Sequence, residues 1–445
     1  MTENNMRETR LKVLVVSYLP WRNDVSVGNT LSNLFNGLQD RIEFANIYFK
    51  GGKPQNEVAE HHFYISESQL AKSIFSRKAV GTEVEPESKD TLSKSKTEKP
   101  MYDKARQMRW ESMLLAQDVV GLLGVWKSQQ LEQFINAFKP DIVFGPLGRV
   151  PAANVLMRYI HDKYDVPVVA YAWDDHYSLN KKSYSLFFWI KTFFERHYIK
   201  KCANVCEFLY TITAPMMKEY QGYFNKECKL LYKGYEFVEP HSAKLTVSSP
   251  MKIIYMGNIG SGRWKVLAKV AKAVEKINRS GKKAELSIYT MSPLSDEMKK
   301  ELVVEGASKI MKPVPNEQVL STMGSADILL HVEPTNEKDR LFFRLSFSTK
   351  IVDYLYNARC IFAIGGRTAA MDYLMDNDAA VVVLNEENIQ TELERLITSK
   401  ELVLEYGEKA WQCGVRNHQR KEIQNMIYTD FLSVKIRKAV VDENR

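Results

Sequence analysis

The stretch Arg344–Gly366, RLSFSTKIVDYLYNARCIFAIGG, decides how the chain is read. Its polar opening, Ser346, Ser348 and Thr349, leads into a short helical pattern with Ile351, Val352 and Leu355 on one face. Cys360–Ile364 follows as a buried strand that stops at Gly365-Gly366. A Ser/Thr turn opening a helix presents backbone N–H groups at the positive end of the helix dipole, which suits a phosphate. Arg344 precedes the turn. Lys350 sits in the first helical turn, where a cation is unfavourable unless an anion joins it. Asp353, a turn further in on the polar face, is placed to accept hydrogen bonds from ribose hydroxyls. An ordinary capped surface helix accounts for the serines and the threonine equally well.

Upstream of this stretch, Ala326–His331 reads as a strand ending in His331-Val332-Glu333. Glu333, at a strand's carboxyl end, is a candidate site residue, although such a glutamate is ordinarily solvated. Further back, Lys252–Met256 is a strand, Gly257-Asn258-Ile259-Gly260-Ser261-Gly262 a glycine loop and Arg263–Asn278 a helix. This GxxGxG is not the GxGxxG of dinucleotide enzymes, and neither half of the chain offers that motif with its acidic partner about 20 residues on. Glu285–Thr290 is the next strand, and a helix begins near Asn316. Downstream come a strand at Ala379–Leu384, helical segments at Glu387–Thr398 and Glu401–Gln412, and a terminal helix over Arg416–Ile436. The region 251–412 is thus one α/β series, and 413–445 follows it as a terminal helix. Glu239–Pro250, EPHSAKLTVSSP, has the small and polar residues of a linker.

Residues 1–238 form a second series. Lys12–Ser17 is a buried-strand pattern, Gly28-Asn29-Thr30 a turn, and an apolar-periodic helix runs through about Leu38 before the strand Ile42–Phe49. Strand, glycine turn and helix open a doubly wound domain. Asp24 and Gly28 stand near the crevice of such a fold, and a plain tight turn explains Gly28 as well. The pattern breaks down over 51–109, where Ser73–Lys99 is rich in Lys, Glu, Ser and Thr and reads as a partly mobile insertion. Helical periodicity returns from Trp110 to Phe138. The strand Ile142–Gly145, the helix Ala152–Tyr164 and the strand Val166–Tyr171 lead to Trp173-Asp174-Asp175-His176. Two carboxylates and an imidazole at a strand's carboxyl end are suited to orient or deprotonate a hydroxyl, and a capping Asp pair is the alternative. Lys181–Cys202 interleaves Phe187, Phe188, Trp189, Phe193 and Phe194 with lysines and Arg196. It suits a helix lying on an anionic bilayer or an amphipathic helix packed in the core with a cationic outer face, and both stay open.

RLSFSTKIVDYL, Gly257–Trp264, His331–Gly366, Pro140–Gly145 and Val166–Asp175 together resemble family 4-type glycosyltransferases, in particular bacterial ones that build surface polysaccharides. The resemblance covers most of the chain outside 51–109. It implies a GT-B fold: two Rossmann-like α/β domains facing each other across a cleft, with the last helix crossing back to the first domain. It implies a UDP-sugar donor and transfer to a hydroxyl of a glycan or lipid-linked acceptor, with retention and without a metal or other cofactor. Gly257, Asn258, Gly260, Arg263, Arg344, the turn Ser346, Ser348 and Thr349, and Lys350 would meet the diphosphate. Asp353 would hold ribose, and Lys269 matches the lysine that relatives place after the arginine, although solvated helix surface explains it too. Asp174, Asp175 and His176 would face the acceptor. The family's paired glutamates are incomplete, because Leu345 occupies the first position. That departure keeps a degenerate protein, acting as an assembly partner at a membrane, as the rival reading.

Composition sets outer bounds. The 445 residues suit two domains, and 45% hydrophobic with 26% charged residues is a globular balance. No apolar run approaches the ~18 residues of a membrane span, MTENNMRETR lacks the apolar core of a signal peptide, and the five cysteines lack metal-site spacing. A cytoplasmic protein, peripheral on the inner face of the membrane if Lys181–Cys202 docks there, is the expectation. The net charge of +8 is dispersed, without a nucleic-acid module.

Overall fold

A computed structural model describes residues 10–24, 26–86, 111–239 and 246–443. Contacts divide the chain into two units. One comprises residues up to Leu179, Ser183–Leu231 and the chain from Glu422. The other comprises Asn180–Lys182 and Tyr232–Lys421.

The first unit is built on an eight-stranded sheet of β1 (Leu11–Ser17), β2 (Ile42–Tyr48), β3 (Ala59–Tyr64), β4 (Thr82–Glu83), β5 (Ile142–Pro146), β6 (Val168–Ala172), β7 (Cys206–Thr211) and β8 (Cys228–Leu230). Their order is β4-β3-β2-β1-β5-β6-β7-β8, parallel except where β4 runs antiparallel to β3. The second unit has β9 (Met251–Met256), β10 (Ala284–Tyr289), β11 (Ser308–Met311), β12 (Ile328–Val332), β13 (Cys360–Ile364) and β14 (Val381–Val383). All are parallel, in the order β11-β10-β9-β12-β13-β14. Helices cover these sheets, which is why the inner strands read as continuous apolar runs. In each sheet the winding reverses once, beside β1 and β5 and beside β9 and β12. Crevices at the carboxyl ends of such reversals are where doubly wound folds bind ligands.

One device closes both reversals. Asp141 accepts from the Lys12 N–H (2.8 Å) while its own N–H donates to the Lys12 carbonyl. Asp327 does the same to Lys252, accepting its N–H at 2.7 Å. An aspartate at the entry of the strand across the reversal, β5 or β12, thereby clips it to the first strand of its sheet.

The structure corrects several sequence expectations. The segment 51–86 is not irregular: β3 pairs with β2, and the helix Glu67–Ser76 is capped by Ser66 and buries Leu70 and Ser73. The polar letters of AEHHFY concealed a strand in which Glu60 and His61 are exposed and His62 and Phe63 are buried. Residues 87–110, which held the rest of the expected insertion and Trp110, lie outside the described residues, as do 240–245 of the expected linker. The run to Phe138 is two helices, Glu111–Leu123 and Gln129–Phe138, the second begun by Ser128 accepting from the Leu131 N–H (3.0 Å). Gly28 lies inside the helix Ser26–Phe35 rather than in a turn. A Cβ there would stand 2.0 Å from the Arg22 carbonyl oxygen, so close packing requires the glycine. The helix Glu337–Phe343, capped by Asn336, was not anticipated.

The terminal helix runs over Arg420–Glu443 rather than Arg416–Ile436, because Lys400–Asn417 is a separate helix. Between them His418 is fully buried, its Nδ1 bonded to the Lys233 carbonyl and Nε2 to the Tyr373 hydroxyl. From Glu422 on, the helix belongs to the first unit. Gln424, Ile427, Phe431 and Val434 face inward at helical spacing, Phe431 packs among Phe35 and Phe144, and Asp430 takes hydrogen bonds from Tyr210 and Lys229. No helix among the described residues is long and apolar enough to cross a membrane. Phe431→Ala should cost about 3–5 kcal/mol, as for other buried Phe truncations, seen as a lower urea midpoint for loss of the first unit.

Candidate functional site

At the carboxyl ends of β9 and β12 the second unit gathers charge. After β9 the loop Gly257–Gly262 turns tightly: the Asn258 side chain accepts from the Gly260 N–H (2.6 Å), and its carbonyl accepts from the Tyr255 hydroxyl (2.7 Å). Gly262, at φ 79°, opens the helix Arg263–Ile277, and a Cβ on it would stand 2.8 Å from the Asn336 amide. Arg263 is thereby aimed at the end of β12. Its Nε donates to the Val332 carbonyl (3.0 Å), its Nη2 to Glu333 Oε2 (3.3 Å), and its guanidinium lies 4.5 Å from the Phe343 ring centre. Glu333 is buried rather than solvated, and its other oxygen meets His331 Nε2 at 3.1 Å.

The turn before the helix Lys350–Tyr356 alternates. Leu345 and Phe347 are buried, and Ser346, Ser348 and Thr349 are half-exposed. Phe347 packs on Tyr373 and Tyr232. Thr349 makes no side-chain cap hydrogen bond to this seven-residue helix. Lys350 reaches back to the glycine loop, where its Nζ would be 3.6 Å from a Cβ on Gly257. Burial lowers the Lys350 pKa, Asp353 opposes that, and Arg263 and Lys233 add to it. The ammonium is therefore short of negative charge. Asp353 is buried and accepts from Lys233 Nζ and, at 2.7 Å, from the Tyr235 hydroxyl.

Gly257, Asn258, Gly260, Arg263, Glu333, Lys350 and Asp353 thus come together. Lys269 does not join them. It pairs with Glu386 in a separate pocket of about 690 Å³, lined also by Thr335, Arg340 and Arg367. Arg344 ends the helix Glu337–Phe343, and its carbonyl accepts from the Ala369 N–H (2.8 Å). Among the described residues no group of three or more His, Cys, Asp or Glu is arranged to hold a metal.

In the first unit Asp175 is engaged by its own loop. It accepts from the N–H groups of Tyr177 (3.2 Å) and Ser178 (2.9 Å), from the Ser178 hydroxyl, and from the Tyr220 hydroxyl (3.2 Å). Those bonds make it a loop-organising residue. Asp174 and His176 are half-buried beside it. Asp24 is paired with Arg22, whose guanidinium keeps the carboxyl below its usual range.

No family model and no curated protein matches the chain in sequence. In structure it is similar to WaaG, a glycosyltransferase involved in lipopolysaccharide biosynthesis, with TM-score 0.56 and 10% identity over 94% of this chain and 99% of that one. It is similar to TarM of S. aureus, with TM-score 0.61 and 11% identity over 95% and 99%. An E. coli trehalose-6-phosphate protein bound with UDP-2-fluoro glucose gives TM-score 0.57 and 9% identity over 94% and 98%. The fold is that of the GT-B glycosyltransferases.

At such identities the likeness carries the GT-B architecture and no residue roles, so the site must be judged on its own contacts. Sequence reasoning missed Lys233 and Tyr235, which lie 120 and 118 residues from Asp353 in a stretch without a motif. It named both Lys269, which pairs with Glu386, and Lys350, which lies near Arg263. Because Asp353 is buried, Lys233→Met should cost about 3–5 kcal/mol by stranding the carboxylate. The double variant Lys233→Met/Asp353→Asn should cost less than the sum of the singles, as read by urea unfolding in a double-mutant cycle.

Proposed function

We propose that the protein is a glycosyltransferase that moves a sugar from a nucleotide sugar, UDP-linked, to a hydroxyl of a glycan or lipid-linked acceptor in surface polysaccharide synthesis. The observation that supports this most is the placement of Arg263 and Lys350 beside the glycine loop at the β9/β12 reversal, where with Lys233 they make three cations against the two carboxylates of Glu333 and Asp353. A diphosphate there would supply the missing negative charge and, as the glycosyl–oxygen bond breaks, would gain charge that the two cations stabilise. In this reading the cations do the work without a metal, Asp353 holds ribose from a position fixed by Lys233 and Tyr235, and the sugar leaves with retained configuration, as in the family that the sequence resembles.

Arg263→Ala and Lys350→Met should each weaken UDP binding by about 1.5–3 kcal/mol, the range for a hydrogen bond to a charged group. This is checked by calorimetry, with turnover expected to persist in EDTA. Binding should also fade as pH rises toward the lowered Lys350 pKa, because only the ammonium form attracts the diphosphate.

The helix Leu186–Val205 supports a lipid-linked acceptor. It turns Leu186, Phe187, Ile190 and Phe193 outward, with Lys200 and Lys201 exposed, and buries Lys191 and Glu195. Its buried side packs Ile199, Cys202 and Ala203, and its exposed side is an apolar face with basic flanks, which suits an anionic membrane surface. A Phe187→Ser/Phe193→Ser variant should lose most of its sedimentation with phosphatidylglycerol vesicles while binding UDP normally.

The buried Leu345 at the first glutamate position favours the second reading, a degenerate binding protein. UDP binding with no sugar transfer or donor hydrolysis would select it.

A further inference from the structure

Asp175 is taken up by its own loop, so the first unit needs another group to meet an acceptor hydroxyl. The helix Glu111–Leu123 lies over the carboxyl ends of β1 and β5, at the reversal of the first sheet. Gln117 Nε2 donates to the hydroxyl of Tyr18, just past β1, at 2.7 Å and to Glu67 Oε1 at 2.8 Å. A Cβ on Gly121 would stand 3.2 Å from the Ala152 Cβ, at the start of the helix after β5. Beside Gln117 is Asp118, whose Oδ2 is buried with no hydrogen-bond partner among the described residues.

The charged groups facing Asp118 come from every element around it. They are Lys191 and Glu195 on the helix Leu186–Val205, Arg149 after β5, and Glu67 on the helix Glu67–Ser76. Lys191 and Glu195 are buried and bonded to each other, which spends the lysine's charge, whereas Arg149 is exposed. Burial pushes the Asp118 carboxyl up to about 7, with Lys191 and Arg149 opposing it and Glu195 and Glu67 adding to it. A buried carboxyl oxygen left without a donor is costly. The helix that carries it lies past β1 and β5, beside Tyr18 and Ala152, where the first sheet reverses.

We infer that Asp118 binds the acceptor, its Oδ2 accepting a hydrogen bond from the acceptor hydroxyl while Arg149 holds an anionic group of the same molecule. This rests on the glycosyltransferase reading, and it makes the acceptor an acidic, hydroxylated molecule. The test uses the full chain and glycerol 3-phosphate as probe, with glycerol as its neutral counterpart, followed by saturation-transfer NMR. The wild type should bind glycerol 3-phosphate in preference to glycerol. Asp118→Asn should weaken it at least threefold, and Arg149→Ala should abolish the preference. No binding, or unchanged binding in both variants, overturns the inference. UDP titration of the same samples separates the two levels: UDP bound without the probe sinks only the acceptor site, whereas loss of both sinks the donor reading.

A second readout does not depend on the probe. The folded carboxyl binds its proton more tightly than the unfolded one, which titrates at about 3.9. Wild-type stability should therefore fall relative to Asp118→Asn between about pH 4 and pH 7 and stay lower above that. A melting-temperature difference that does not change with pH would remove the premise of a donor-starved carboxyl.

Discussion

Two buried carboxylates, Glu333 and Asp353, hold three cations, Arg263, Lys350 and Lys233, beyond the carboxyl ends of β9 and β12. Counting formal charges, three minus two leaves one positive charge in surroundings that screen it poorly. The neighbouring backbone is shaped by this arrangement. Gly365, at φ 136°, lets the exit of β13 pass the Glu333 carbonyl, where a Cβ would approach to 2.2 Å. Gly257 leaves room for the Tyr255 hydroxyl, which a Cβ would approach to 2.9 Å, and Tyr354 ties its helix to the Leu330 carbonyl (3.2 Å). A buried pair contributes little net stability after desolvation. Retaining three cations around two carboxylates is better explained by an anion that joins them than by folding energy.

Much of the architecture was legible because each half repeats one rule. An apolar strand, a tight turn and a periodic helix recur, and an Asp at the entry of the strand across the reversal clips the first in both units. Pro140-Asp141 and Ala326-Asp327 carry that clip in the sequence. The elements that escaped reading lacked this pattern. β3 has no apolar alternation, with Glu60 and His61 exposed and His62 buried, and the helix Glu337–Phe343 buries none of its residues. With no apolar stripe, only the Asn336 cap marked its start.

The site was legible where chemistry and chain proximity coincide. Lys350 and Asp353 lie three residues apart on one short helix, and Arg263 directly follows the glycine loop. It was illegible where the partner comes from far along the chain. Lys233 and Tyr235 reach Asp353 only because the chain entering the second unit runs beside the chain leaving it, with the Tyr235 N–H donating to the His418 carbonyl and the Arg420 N–H to the Tyr235 carbonyl. Lys269, at its spacing from Arg263, is carried by the helix to Glu386, a partner that spacing alone does not reveal. Residue type gave Asp175 a chemical role, whereas four hydrogen bonds within and beside its loop give it a structural one.

The helix Leu186–Val205 faces two ways. Its inner face buries Lys191 and Glu195 beside Ile199, Cys202 and Ala203 and supplies charged groups that act on Asp118. Its outer face leaves Leu186, Phe187, Ile190 and Phe193 exposed. A buried ion pair adds little net stability after desolvation, so Ile199, Cys202 and Ala203, not the Lys191–Glu195 pair, anchor the helix.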